Sequence, residues 1–166
     1  MEKELGWAGL LLLLVLAGCT SSSPDLLPGE RIIDVTLRVD APFSTALLQA
    51  FNYEGSPPGM IYRAGLKGEA KVEDSKEISP EDFDALVQLI EKNRFTSFDE
   101  VYEDSELTDG TWYTLEVKYA PTGAEAYLAD AWVHSVSCYW TCPEPVVEIR
   151  TKIKELWGRE ILIEGV

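Results

Sequence analysis

Apolar and polar residues alternate along residues 31–39. The apolar positions are Ile33, Val35, Leu37 and Val39, and the polar positions between them are Asp34, Thr36 and Arg38. A period of two with one polar side indicates a half-buried antiparallel strand. Residues 111–119 alternate in the same way, and the Pro and Gly of residues 120–123 suit a type I turn. The pattern therefore predicts a hairpin whose second strand covers residues 125–133.

Two other segments have the spacing of amphipathic helices. Ser79 is suited to cap a helix that begins at Pro80. The apolar stripe of this helix consists of Phe83, Leu86, Val87 and Ile90, and Phe95 and Phe98 are expected to continue its packing. A second helix is expected to begin at Pro145 and to end at Gly158. Its apolar side consists of Val146, Ile149, Ile153 and Leu156.

The remaining segments are predicted mainly as strands. Residues 45–53 fit either a strand or a short capped helix, and we favour the strand. Residues 55–59 are a loop, residues 60–72 are one or two strands broken at Gly65 or Gly68, and residues 161–163 are a short last strand. Strands before, between and after two helices predict an α+β fold, an antiparallel sheet with two amphipathic helices packed on one face.

Composition and charge narrow the possible partners. The chain has 166 residues, of which 46% are hydrophobic, and it carries 14 basic against 29 acidic residues, a formal charge of −15. This length fits one domain. The negative charge excludes a nucleic-acid partner, because a phosphate backbone would be repelled. It also disfavours adsorption to an anionic membrane through a basic patch. We expect no cofactor.

The first nineteen residues contain a targeting signal. Residues 5–18 form an apolar run of about 14 residues, shorter than the roughly 20 that a membrane-spanning helix needs. Its end, Leu16-Ala17-Gly18-Cys19, resembles the lipobox of prokaryotic lipoproteins. The resemblance implies cleavage before Cys19, a diacylglycerol on the Cys19 sulfur and anchoring on the outer face of a prokaryotic membrane.

This resemblance divides the chain into a signal peptide at residues 1–18, a lipidated cysteine and flexible tether at residues 19–30, and one domain at residues 31–166. One feature departs from the usual pattern: Glu2 and Glu4 flank Lys3, so the positive charge that normally precedes the apolar run is weak. The alternative is an uncleaved anchor helix. Separately, residues 78–109 resemble small domains of unknown function in bacterial lipoproteins.

The first candidate site contains Cys138 and Cys142. Two thiols in an exported protein favour a disulfide, and this pairing requires a turn at residues 139–141, because a strand would hold the two Cα atoms about 13 Å apart. The alternative is a metal or redox site formed by both cysteines and His134, the one histidine of the chain. The string C-x-x-x-C-P is also similar to the metal-binding motif of thioredoxin-fold copper chaperones. His134 is otherwise expected to be a strand-end or partly buried residue, and a Cys–His nucleophile pair is the weakest reading.

Two further sets of residues are candidate binding sites. One is the acidic run of residues 99–109, which is expected to be a solvated loop and has a calcium site as its alternative; it contains Asp99, Glu100, Glu103, Asp104, Glu106 and Asp109. The other is an aromatic set that is expected to fill the core, with sugar stacking or a protein partner as its alternative. Its members are Trp112, Trp132, Tyr139, Trp140 and Trp157.

These patterns favour a non-catalytic function. The chain lacks a G-x-S-x-G motif, a phosphate-binding glycine loop and an H-E-x-x-H motif. We therefore expect an exported lipoprotein that binds a protein or small-molecule ligand or has a structural role in the cell envelope. The alternative is a metal-binding or thiol-redox lipoprotein that uses His134, Cys138 and Cys142. A hydrolase is a third possibility, for which no residue is nominated.

Overall fold

A computed structural model describes residues 29–66, 71–103, 110–122, 130–139 and 141–159, with the backbone alone at residues 71–73. Within these residues the chain forms seven strands, two α-helices and a short 3-10 turn. The strands are β1 Glu30–Asp40, β2 Ser44–Phe51, β3 Gly59–Leu66, β4 Lys71–Glu77, β5 Val101–Glu103, β6 Trp112–Pro121 and β7 Trp132–Tyr139. The helices are α1 Pro80–Lys92 and α2 Glu144–Trp157, and the 3-10 turn is Phe95–Ser97.

Several predictions lie outside the described residues. They concern the signal peptide, Cys19 and the tether, the glycines at positions 68 and 123, the acids at positions 104, 106 and 109, residues 125–129, Trp140, and residues 161–163. Among the residues that are described, no helix is long and apolar enough to cross a bilayer.

The strands form one sheet in the order β4-β3-β2-β1-β6-β7-β5. Neighbouring strands are antiparallel, except that β5 is parallel to β7. The predicted α+β class with a mostly antiparallel sheet is therefore confirmed. The prediction of a loop at residues 99–109 is wrong where β5 lies, because residues 101–103 pair with the exposed edge of β7.

The central strand β1 follows the predicted alternation, with one irregularity. Val35, Leu37 and Val39 are buried in the core. Between Ile32 and Asp34 the register with β6 shifts, so that Ile33 is an extra residue of the kind found in a β-bulge. Consequently Ile32, and not the predicted Ile33, belongs to the main core cluster, although both residues are buried.

The core is one cluster shared by the sheet and both helices. Alternate residues of β1, β2, β3, β6 and β7 contribute to it, together with the apolar stripes of the two helices. The helix residues are Phe83, Leu86, Ile90, Val146, Ile149, Ile153 and Trp157. The predicted start of α1 and end of α2 are confirmed: the Asp82 N–H donates to Ser79 Oγ at 3.0 Å, and Gly158 ends α2 with a left-handed φ of 73°. The predicted start of α2 at Pro145 is one residue late, because the helix begins at Glu144.

Three strand predictions can be compared with the structure. Ser44–Phe51 is a strand, as favoured. The expected pair of strands after the loop is present, but Gly65 lies inside β3 and the break follows Leu66. The partner of β6 is β7, but β7 begins at Trp132 instead of residue 125 and shares only residues 132 and 133 with the predicted strand, so the predicted register is wrong. Ala120 and Pro121, predicted to lie in a type I turn, are the last residues of β6. Apolar and polar residues do not alternate clearly in the sequence before Trp132. Within β7 they do alternate, and His134, Val136 and Cys138 all lie on the core side of this strand.

Candidate functional site

The paired cysteines lie where β7 leads into α2. Cys138 is fully buried near the end of β7, and Cys142 precedes the Pro143 that caps α2. Their sulfur atoms are at disulfide distance, and the two Cα atoms are 5.3 Å apart. The predicted turn at residues 139–141 is present, because the Thr141 N–H donates to the Tyr139 carbonyl at 2.8 Å. The turn reverses the chain and brings the two thiols together.

His134 lies apart from this pair. It is opposite Val117 inside β7, four residues before Cys138 on the same strand, which separates their Cα atoms by about 13 Å. The half-buried imidazole meets the ring of Phe95 edge to face, with the centroids 5.3 Å apart. Its Nε2 atom is buried and has no hydrogen-bond partner among the described residues. In this part of the chain, no group of three or more His, Cys, Asp or Glu side chains is placed to hold a metal ion.

Three residues of the acidic run are described: Glu103 belongs to β5 at the sheet edge, and Asp99 and Glu100 directly precede this strand. Glu100 accepts the Ser137 N–H through its carbonyl at 2.8 Å, and Glu103 ends β5. The Asp99 N–H donates to the Tyr102 hydroxyl at 3.1 Å. Residues 101–103 therefore form a strand with β7 instead of a loop, while the side chains of Asp99, Glu100 and Glu103 are exposed to solvent, as expected.

The aromatic set is divided among separate packing contacts. Trp132 stacks on Tyr119 with the ring centroids 4.2 Å apart, and Trp112 packs on Tyr139 at 5.0 Å. Trp157 is buried against Tyr62. The described members of the set therefore fill the core or cover its margins, as expected, and do not form one binding cluster.

A buried carboxylate on the other side of the sheet was not predicted as a site. Asp34 alternates with the core residues of β1, yet it is only 6% exposed. It accepts hydrogen bonds from Thr36 Oγ1 at 2.9 Å and from the Tyr53 hydroxyl at 2.5 Å, and a third from the Gln49 amide. Burial, reinforced by the hydrogen bond to Asp34, raises the pKa of Tyr53 well above 10. The four residues come together through strand register, which the sequence does not reveal.

Two cations beside Tyr113, Arg150 and Lys154, were also not predicted as a site. The guanidinium carbon of Arg150 lies 4.3 Å from the centroid of the Tyr113 ring, and Lys154 Nζ lies 6.0 Å from it. Burial and the neighbouring charge of Arg150 lower the pKa of Lys154 from its ordinary value of 10.5. Their four-residue spacing on α2 is visible in the sequence, but the sequence does not place them beside Tyr113.

Comparison with known proteins adds no relative. No protein-family model, no curated protein and no solved structure matches this chain. The functional interpretation therefore depends on the sequence motifs and on the contacts described above.

Proposed function

We propose that this chain is an exported prokaryotic lipoprotein whose globular domain is a non-catalytic binding or structural module. The observation that carries the proposal is the sequence Leu16-Ala17-Gly18-Cys19 at the end of a short apolar run. In this proposal, residues 1–18 are removed, the Cys19 sulfur carries a diacylglycerol, and the domain is held at the outer face of the membrane.

Lipid attachment at Cys19 is sufficient to anchor the chain. Each methylene buried in the bilayer contributes about 0.8 kcal/mol, and two acyl chains give stable anchoring where one does not. About ten residues separate Cys19 from the first described residue, Gly29, a length that spans roughly 17 Å as a flexible coil. The tether joins the domain at the start of β1, and the Asp40 end of that strand lies about 33 Å farther along it.

The cysteine pair supports an oxidising location. The thiols of Cys138 and Cys142 lie at disulfide distance, and such bridges persist mainly in compartments outside the reducing cytosol. We include the oxidised bridge in the proposal. Its structural role is to join β7 to the start of α2, two elements that both contribute to the core.

The surface available to a partner follows from the arrangement of the layers. We infer that both helices cover the same face of the sheet, because their buried residues share one cluster with alternate strand residues. The opposite face, here called the open face, then remains available for a protein or small-molecule ligand. It consists of the intervening strand residues, among them Arg38, Gln49, Thr114, Glu116, Val133, Ser135 and Ser137.

Metabolic labelling with a palmitate analogue tests the anchor. The chain is expressed in a bacterium, and the label and the membrane fraction are followed by gel analysis. We expect label on the wild-type chain and none on Cys19→Ser, with Cys142→Ser as the matched control that keeps its label. An unlabelled wild-type chain, or equal labelling of Cys19→Ser, would overturn the proposal.

A further inference from the structure

Two neighbouring cations of α2, Arg150 and Lys154, have no acidic partner among the described residues. Arg31, Arg38 and Arg159 each have a carboxylate within ion-pair distance. In contrast, Arg150 and Lys154 form no ion pair within the part of the chain that the structure describes. Lys92, Lys118 and Lys152 likewise form no ion pair with a described residue, so what distinguishes Arg150 and Lys154 is that the two cations lie beside one another on one aromatic ring.

The sequence of α2 has no acidic residue at the helix positions that contact Arg150 or Lys154. On an α-helix, the residues three and four positions away are those that contact a given side chain. For Arg150 and Lys154 these positions are Val146, Val147, Thr151, Ile153, Trp157 and Gly158, together with the two residues themselves. The one charged neighbour of each cation on this face of α2 is therefore the other cation.

Tyr113 holds the two cations at a fixed place. Its ring projects from β6 beneath α2, with the Arg150 guanidinium over its face at 4.3 Å and Lys154 Nζ at 6.0 Å. A cation is attracted to the electron-rich face of an aromatic ring. A guanidinium carries five N–H donors in its plane, so those that do not face the ring remain able to bind an oxyanion.

The arrangement has a free-energy cost when nothing is bound. Arg150 and Lys154 repel one another, and partial burial removes water that would screen them. The lowered pKa of Lys154 has these same two causes. An anion bound between the two groups would offset the repulsion between them.

We propose that Arg150 and Lys154, positioned by Tyr113, bind the phosphate group of a phosphomonoester or phosphodiester. The arginine fork contacts two oxygens in parallel, and the lysine ammonium acts as a separate point charge on a third. A phosphomonoester presents three terminal oxygens to the two groups, and a phosphodiester presents two, of which one accepts from both groups. The charge of a monoester, about −2, also matches the two cations better than the single charge of a carboxylate does. The site goes beyond the proposed anchoring function and does not depend on lipidation at Cys19.

Calorimetric titration of the purified full chain tests this site. The ligands are inorganic phosphate, glycerol 3-phosphate as a monoester, and glycerophosphoglycerol as a lipid-headgroup diester, all at constant ionic strength. We expect saturable binding of at least one of them. Arg150→Gln and Lys154→Gln should each weaken it by about tenfold or more, since hydrogen bonds to charged groups are involved. Tighter binding of the monoester would indicate a free phosphate ligand, and tighter binding of the diester a lipid headgroup.

Lys152→Gln is the matched control, because it removes the same charge from the same helix but lies on a different side. It should change the affinity by less than about twofold. Circular dichroism and the unfolding midpoint verify that each variant is folded. Absence of saturable binding by all three ligands would overturn the proposal. Equal weakening by Lys152→Gln and Lys154→Gln would also overturn it, because the effect would then be one of net charge.

Discussion

The Tyr53 hydroxyl donates a 2.5 Å hydrogen bond to the carboxylate of Asp34, a side chain that is only 6% exposed. A buried charge is unfavourable unless polar groups replace the lost water. Here Thr36 and the Gln49 amide supply two more donors, so that the carboxylate is held by groups from β1, from β2 and from the loop after β2. The network thus connects the central strand β1 to β2 and to the loop that follows β2.

Substitution of Asp34 should be strongly destabilising. Asp34→Ala leaves three donors without their acceptor, and we expect a loss of about 3 kcal/mol in the free energy of unfolding. Tyr53→Phe removes a single donor and should cost about 1–2 kcal/mol. Urea unfolding measures both. Glu54→Gln is the control, since it disrupts a surface pair with Arg31 and should have an effect below about 0.5 kcal/mol. A loss for Asp34→Ala no larger than that of the control would contradict this account.

The charge on Lys154 should destabilise the fold in the absence of a bound anion. Because its folded pKa is lowered from 10.5, the unfolded chain binds this proton more tightly, and stability rises as the pH increases from the folded pKa towards 10.5. Lys154→Met should therefore stabilise the protein at pH 7, by less than about 1 kcal/mol at this half-exposed position. The gain should shrink near pH 10.5. Urea unfolding across this pH range is the measurement, with Lys152→Met as the control that lacks the trend.

The cysteine pair should contribute to stability as a disulfide. Closing so short a loop stabilises a fold by about 2 kcal/mol in the chain-entropy model, so Cys142→Ser should lower the free energy of unfolding by about that amount. Thiol titration of the denatured protein should find Cys138 and Cys142 unreactive until reductant is added. Two reactive thiols that bind zinc in the protein as isolated would instead favour the metal or dithiol alternative.

Chemical labelling can verify which face of the sheet is covered. Val133 and Val136 both lie on β7, but Val133 is 53% exposed on the open face and Val136 is fully buried in the core. A maleimide should react rapidly with Val133→Cys in the folded protein. It should react with Val136→Cys only after unfolding. Comparable rates for the two variants would contradict the placement of both helices on one face.

The sequence predicted the features that depend on neighbouring residues. The Ser79 cap, the Gly158 helix end and the alternation of β1 and β6 are local signals, and all of them are present. In contrast, β5 is a three-residue strand whose pairing with β7 joins segments more than thirty positions apart. The Asp34 network and the cations beside Tyr113 likewise depend on strand register and helix placement. Such contacts require the pairing to be known, which local patterns do not supply.

Mass spectrometry of the intact protein, purified from bacterial membranes, tests the central claim most directly. Exported lipoprotein processing predicts a chain that begins at Cys19 and carries a diacylglycerol on that residue. The Cys19→Ser chain should lack the lipid mass. A wild-type chain that keeps its residues 1–18, or that begins at Cys19 without any lipid, would contradict the account.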